Sequence, residues 1–171
     1  MKHKHLIGAT ACCITLVTTT AFAEDNEKLL GRFKQWSAMH YEEGGQRVCV
    51  MWSAPDSASP SDREQDAHAF VSHCSKERVY NEISVQIGVR LKAGSVLAAQ
   101  IGSQRFTLYT DGDSAWNNSL KEDQRMVRAM RAGRTLEVRA TTAKGKKVTD
   151  RYSLFGFTSA HKSISEACGA R

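Results

Sequence analysis

The chain has 171 residues, 41% of them hydrophobic and 25% charged, with a formal net charge of +6. It holds no internal repeat or low-complexity segment, and no stretch after its N-terminus is apolar for long enough to span a bilayer. No run of five or six like charges and no stripe of aromatics among basic residues occurs, which disfavours nucleic acid as a partner; the mild basicity suits anionic surfaces such as lipopolysaccharide or phospholipid.

The N-terminus has the three parts of a secretory signal peptide. Lys2 and Lys4 are the positive region, Leu6 to Val17 the apolar region, and Ala21-Phe22-Ala23 an A-x-A cleavage site before the polar Glu24-Asp25. The apolar part is too short and too threonine-rich for a spanning helix. Ala9 stands where a lipoprotein signal at Cys12 would need a leucine-like residue. Cleavage between Ala23 and Glu24 leaves one domain, residues 24–171, with a net charge of +4, in the periplasm or secreted. The mature chain keeps Cys49, Cys74 and Cys168. In an oxidising compartment that number reads as one disulfide plus one free thiol, and no C-x-x-C pair suggests a redox or zinc site.

Residues 27–33 place Leu29, Leu30 and Phe33 at helical spacing, with Gly31 weakening the helix, so a short helix or a strap is expected. Alternation then predicts strands over 35–41 and 47–53, joined at Glu43-Gly44-Gly45. Residues 54–66 hold both prolines and no apolar pattern, predicting an exposed loop of unusual length. Strands follow at 67–74 and 83–89, separated by a polar connector over 75–81, and then at 95–101 and 105–110 around a Gly102-Ser103 turn. Ser119 and Glu122 form a capping-box pattern for a helix with Leu120, Val127 and Met130 inward, ending at Gly133. Strands at 135–142 and 147–155 precede a last helix capped by Thr158, with Ala160, Ile164, Ala167 and Cys168 on one stripe. Strands that follow one another without alternating helices predict a mainly β fold. The simplest packing is an antiparallel immunoglobulin-like β-sandwich with two or three short helices.

Chemistry-bearing groups are scattered. Asp111-Gly112-Asp113, with Asp123, Ser114 and Asn118 nearby, could suggest calcium, but a triplet of this kind more often makes a turn. His68 and His73 point to opposite faces of one strand, and His40 and His161 are remote in sequence, so no metal site is expected. Cys74 beside His73 has nothing to orient it as a nucleophile. Trp36, Trp52 and Trp116 read as core more readily than as ligand platforms. Asn117-Asn118-Ser119 matches a glycosylation sequon whose serine already serves as the helix cap. No phosphate-binding loop, metalloprotease motif or cofactor motif occurs.

Several segments together carry a family resemblance. They are Trp36-Ser37-Ala38 with Val48-Cys49-Val50, Phe106-Thr107-Leu108 leading into the residues from Thr110 to Trp116, and the residues from Tyr152 to Thr158 leading to Ile164 and Ala167-Cys168. Over about residues 33–169 the chain resembles the invasion-associated locus B family of alphaproteobacteria. The resemblance implies an extracytoplasmic immunoglobulin-like sandwich and a Cys49–Cys168 disulfide, with Cys74 as an extra cysteine. His40 stands where some members carry a cysteine near the first tryptophan. The family supplies no catalytic residues to carry over.

The expected function is therefore that of an exported, non-enzymatic binding or interaction protein without a cofactor. Its partner would be an envelope component or, through the resemblance, a host-cell surface. The competing readings are an extracytoplasmic enzyme with a dispersed metal or hydrolytic site, and a structural or stress-related periplasmic protein.

Overall fold

The computed structural model describes residues 27–63 and 66–170. The expected signal peptide, with its Ala23–Glu24 cleavage point, lies outside the described residues. The elements in chain order are β1 (Lys28–Phe33), β2 (Trp36–Glu43), β3 (Gln46–Ser53), β4 (Ser57–Ser59), β5 (His68–Cys74), β6 (Val79–Gln86), β7 (Val96–Ile101), β8 (Gln104–Asp111), β9 (Ser114–Trp116), α1 (Leu120–Ala132), β10 (Thr135–Thr141), β11 (Lys147–Ser153) and α2 (Phe157–Cys168). No helix among the described residues is long and apolar enough to cross a membrane.

The mainly β, antiparallel reading holds, with two helices, but the strands do not divide into the two sheets of the expected sandwich. They form one hydrogen-bonded sheet in the order β1-β2-β3-β5-β6-β9-β8-β7-β10-β11-β4. The reason is β9, three residues that the sequence pattern does not reveal. It returns from β8 through the Gly112 turn and pairs with β6 on its other edge, Val85 opposite Ala115. That strand stitches the first five strands to the last five.

One face of this sheet is apolar across its width. Ala38, Met51, Val71 and Ile83 lie opposite one another from strand to strand, as do Leu97 with Leu108 and Ala99 with Val138. All are at most 1% exposed, so the two-residue period of the sequence reports a real inner face. The strand order also bends back on itself. The Gln35 amide donates to the Phe155 carbonyl at 3.3 Å and Trp36 Nε1 to the Ser153 carbonyl at 3.0 Å, joining β2 to the end of β11.

The N-terminal segment is a strand, not a helix or a strap. The β1–β2 register shifts between Leu29 and Gly31, a bulge that leaves Leu30 unpaired. The extra residue lets Leu30 and Phe33, three apart, both reach the core, which is how a strand acquires helical spacing. In α1 the serine cap is present, Ser119 Oγ accepting from the Glu122 amide at 3.3 Å, while the Glu122 carboxylate turns instead to Arg125. Leu120, expected inward, is 49% exposed at the helix start, and Met126, Val127, Ala129 and Met130 make the buried face.

The last helix starts two residues earlier than expected and is not capped by Thr158. Its N-cap is Gly156, at φ 97°, and it makes no side-chain cap bond. Glycine is required there twice over: the conformation is left-handed, and a Cβ would stand 1.8 Å from the Phe33 carbonyl oxygen. The close approach seats Phe157 against the fully buried Trp36, ring edge to face at 5.0 Å. Ala160, Ile164 and Cys168 then continue the buried stripe as expected.

The 54–66 segment is not the freely exposed loop its composition suggests. Part of it is β4, which pairs with β11 and covers that edge of the sheet. Beyond β4, Arg63 turns inward. Its Nη1 donates to Asp150 Oδ2 at 2.7 Å and to the Ile87 carbonyl at 2.8 Å, its Nη2 to Asp150 Oδ1, and its Nε to the Pro60 carbonyl at 2.9 Å. The arginine side chain is 4% exposed and that of Asp150 0%. Sequence patterning could not pair charges 87 residues apart. Removing one partner leaves the other buried and unpaired, so Arg63→Ala should cost about 3–5 kcal/mol by urea denaturation. A loss below about 1 kcal/mol would show that the segment is not anchored by this pair.

Candidate functional site

The site begins with an irregularity in β6. Ser72 pairs with Glu82 and His73 with Tyr80, so Asn81 is an extra residue in the ladder. It sits at φ 67°, a left-handed conformation that asparagine tolerates better than most side chains. The bulge frees both of its polar groups for the inner face. Its backbone N–H donates to His73 Nδ1 at 3.0 Å, and its side-chain Oδ1 accepts from His161 Nε2 of α2 at 2.7 Å.

His73 is held on both ring nitrogens: Nδ1 accepts from the Asn81 amide and lies beside the Ser72 carbonyl, and Nε2 is 3.2 Å from Ser165 Oγ. His161 carries its proton on Nε2 and stacks on Phe157, one turn earlier in α2. The two imidazoles meet edge to face, centroids 5.6 Å apart. Burial pushes the His161 pKa down to about 4, with the neighbouring His73 and Arg131 acting in the same direction. Burial also lowers His73, outweighing the Ser72 carbonyl 2.9 Å away, which favours the charged ring. Both rings are therefore neutral at physiological pH and serve as fixed hydrogen-bonding struts.

Above them lies a cleft of about 380 Å³ between α1 and α2. Arg128 and Arg131, one helical turn apart on α1, line it with Lys162 of α2, together with Gln124, Thr158 and Ser165. Among the described residues no carboxylate lines the cleft. Among the described residues neither Arg128 nor Arg131 forms an ion pair; Lys162 makes a long, exposed contact of 3.7 Å with Glu166. Two unpaired guanidinium groups and an ammonium with only this weak, exposed partner thus share the cleft.

The floor of the cleft is fixed to the sheet on both sides. On α1, the buried Asp123 accepts through Oδ1 from the Ile83 amide of β6 at 3.1 Å and from Asn117 Nδ2 at 2.9 Å. Burial raises the Asp123 pKa against those two bonds. On α2, Cys168 is bonded to Cys49 of β3, the pair implied by the family resemblance, and Gly169 and Ala170 close the helix onto the Glu166 and Ser165 carbonyls. Among the described residues Cys74 is the free thiol, half-buried on the opposite face of β5 from His73.

Other residues singled out in the sequence lie elsewhere. Asp111 and Asp113 belong to the β8–β9 turn, where Asp113 accepts from Gln86 and Ser114. Asp123 is in the core and not part of that group. Among the described residues no group of three or more His, Cys, Asp or Glu side chains could hold a metal ion. His40 and His68 do not join His161; His68 packs on Phe70. Trp36 is core, whereas Trp52 and Trp116 stand half-buried on the outer face, Trp116 stacked on Tyr109 at 5.7 Å. Asn117 of the sequon is 8% exposed. The residues that sequence reading missed are Asn81, Arg128, Arg131 and Lys162. One signal for them exists: Arg125, Arg128 and Arg131 form a basic stripe at helical spacing.

These features define an antiparallel β-sheet domain whose disulfide-anchored terminal helix and first helix enclose a basic cleft. Residues 36–165 match the invasion associated locus B (IalB) protein family, and the chain belongs to it. Its fold is similar to that of invasion associated protein B from Bartonella henselae, with a TM-score of 0.59 at 16% identity, over 80% of this chain and 95% of that one. No curated protein sequence matches the chain.

The histidine pair has a signed consequence. Between about pH 6.5 and 4 an unfolded His161 takes up a proton that the folded one refuses, so stability falls as pH falls through that window. The melting temperature of the native chain should drop more steeply from pH 7 to pH 5 than that of His161→Gln. Parallel slopes would show that the ring is not buried neutral.

Proposed function

We propose that the mature chain is an exported, non-catalytic binding module that engages an anionic component of the bacterial envelope or of a host-cell surface. The observation that carries this reading is the cleft between α1 and α2, which Arg128, Arg131 and Lys162 line with no carboxylate from the described residues among them. Like charges gathered at one site with little compensation repel one another, and an anionic partner relieves that repulsion. The histidines below the cleft are locked by hydrogen bonds, which suits a preorganised contact surface better than proton transfer.

Export rests on the N-terminal leader pattern and suits the Cys49–Cys168 disulfide. An association with invasion is supported by family membership and by the name of the Bartonella protein. We further propose an immunoglobulin-like packing in which the two groups of strands joined by β9 face one another as the layers of a sandwich do.

Charge reversal tests the assignment. In co-sedimentation with envelope fragments, Arg128→Glu with Arg131→Glu should weaken binding by about tenfold or more, equivalent to about 1.4 kcal/mol. The same reversal at Lys144 and Lys146, on the β10–β11 turn, should leave binding within about twofold. Equal losses in the two variants would reduce the effect to net charge, and no loss in either would remove the cleft from the function.

A further inference from the structure

We propose that the ligand group taken by the α1–α2 cleft is a phosphomonoester. This deepens the binding reading above and rests on it, and three observations lead to it.

The first is charge. Arg128 and Arg131 supply two unpaired positive charges and Lys162 a third that Glu166 only weakly offsets, and among the described residues no acidic side chain lines the cleft. A carboxylate brings one negative charge, as does a phosphodiester, whereas a phosphomonoester brings about 1.5 to 2 at neutral pH. The dianion matches the cleft best.

The second is the donor inventory. Arginine presents its N–H groups as a planar fork that fits two phosphate oxygens at once, and Arg128 and Arg131 are spaced to approach from one side while Lys162 approaches from the other. Ser165 adds a hydroxyl. Its Oγ is paired with His73 Nε2 at 3.2 Å and lines the cleft. The chain from the Asn81 amide through His73 to Ser165 orients this hydroxyl from the sheet. The Asn81 carbonyl oxygen, an acceptor that would oppose an oxyanion, is occupied by His161. What faces the cleft is accordingly rich in donors, and a group with three acceptor oxygens uses more of them than a carboxylate can.

The third is size. About 380 Å³ is more than a lone phosphate needs, so the group bearing the phosphate has room beside it. Among the described residues the aromatic ring at the cleft is the His161 imidazole, which is already stacked on Phe157 and bonded to Asn81, so it is not free to stack a base, and a nucleic-acid strand stands apart from this ligand class.

The test is calorimetric titration of the mature protein with inorganic phosphate, a sugar phosphomonoester, the matching sugar carboxylate and a methyl phosphodiester at fixed ionic strength. The phosphomonoester should bind saturably and at least fivefold more tightly than the carboxylate or the diester. Arg128→Gln with Arg131→Gln should weaken it by tenfold or more, and Ser165→Ala by a few-fold, with the thermal midpoint of the free proteins as the control for folding. Vesicles carrying phosphatidic acid, against neutral vesicles, identify the source: capture that free phosphate displaces assigns a lipid headgroup, and binding of soluble esters alone assigns a diffusible one. Either result supports the phosphomonoester. Equal affinity for all the anions, or binding indifferent to the arginines, overturns it. Charge-reversed protein that loses envelope binding while phosphomonoesters show no preference would sink this inference alone. Selective phosphomonoester binding with envelope association untouched by charge reversal would instead sink the functional reading.

Discussion

The seat of α2 on the sheet is the constraint from which the rest of the molecule follows. Two attachments hold it, one at each end. At the start, Gly156 brings the backbone so near Phe33 that no other residue fits, and Phe157 locks against Trp36. At the end, Cys168 is covalently tied to Cys49 in the middle of the inner face. That bond closes a loop of 119 residues, worth about 5 kcal/mol by the chain-entropy argument. A helix of twelve residues with no side-chain cap at its N-terminus has little stability of its own, so its position is set by these contacts.

The cleft is a product of that placement. Its α1 wall is fixed independently, through Asp123 reaching the Ile83 amide, so the gap between the helices is defined by attachments to β6 on one side and β3 on the other. The sheet contributes by its irregularities. The extra residue at Asn81 opens the ladder where both histidines need a partner, and bulges are a recurrent means of aiming polar groups beside a site. Two cores of different character result: an apolar one spanning the sheet, and a small polar one of His73, His161, Asn81 and Ser165 whose hydrogen bonds link helix to strand. The buried Arg63–Asp150 pair plays a similar role at the other end of the strand order, tying the long connection after β3 to β11.

Much of the secondary structure was legible in the sequence because it rests on local periodicity. The alternation Ile83, Val85, Ile87 reports an inner face, and the stripe Ala160, Ile164, Cys168 reports a helix face. Where one residue breaks the period, the reading failed: Leu30 in its bulge made β1 look helical. Three-residue strands carry too little pattern to be read, and β9 and β4 decide the sheet's continuity and the fate of its edge. The candidate site was the least legible part. His73 and His161 are far apart in the chain, and neither stands in a motif; only the bulge and the bend of the sheet bring them together. The arginine stripe on α1 was visible, but its partner Lys162 is not identifiable until α2 is placed.

Amide hydrogen exchange in the oxidised protein and after reduction of the Cys49–Cys168 bond measures the central dependence most directly. On reduction, protection across Phe157–Cys168 should fall by orders of magnitude, while the amides of β5, β6 and β8 keep theirs. Protection of α2 that survives reduction unchanged would contradict the account, because the helix would then owe its place, and the cleft its shape, to something other than the bond.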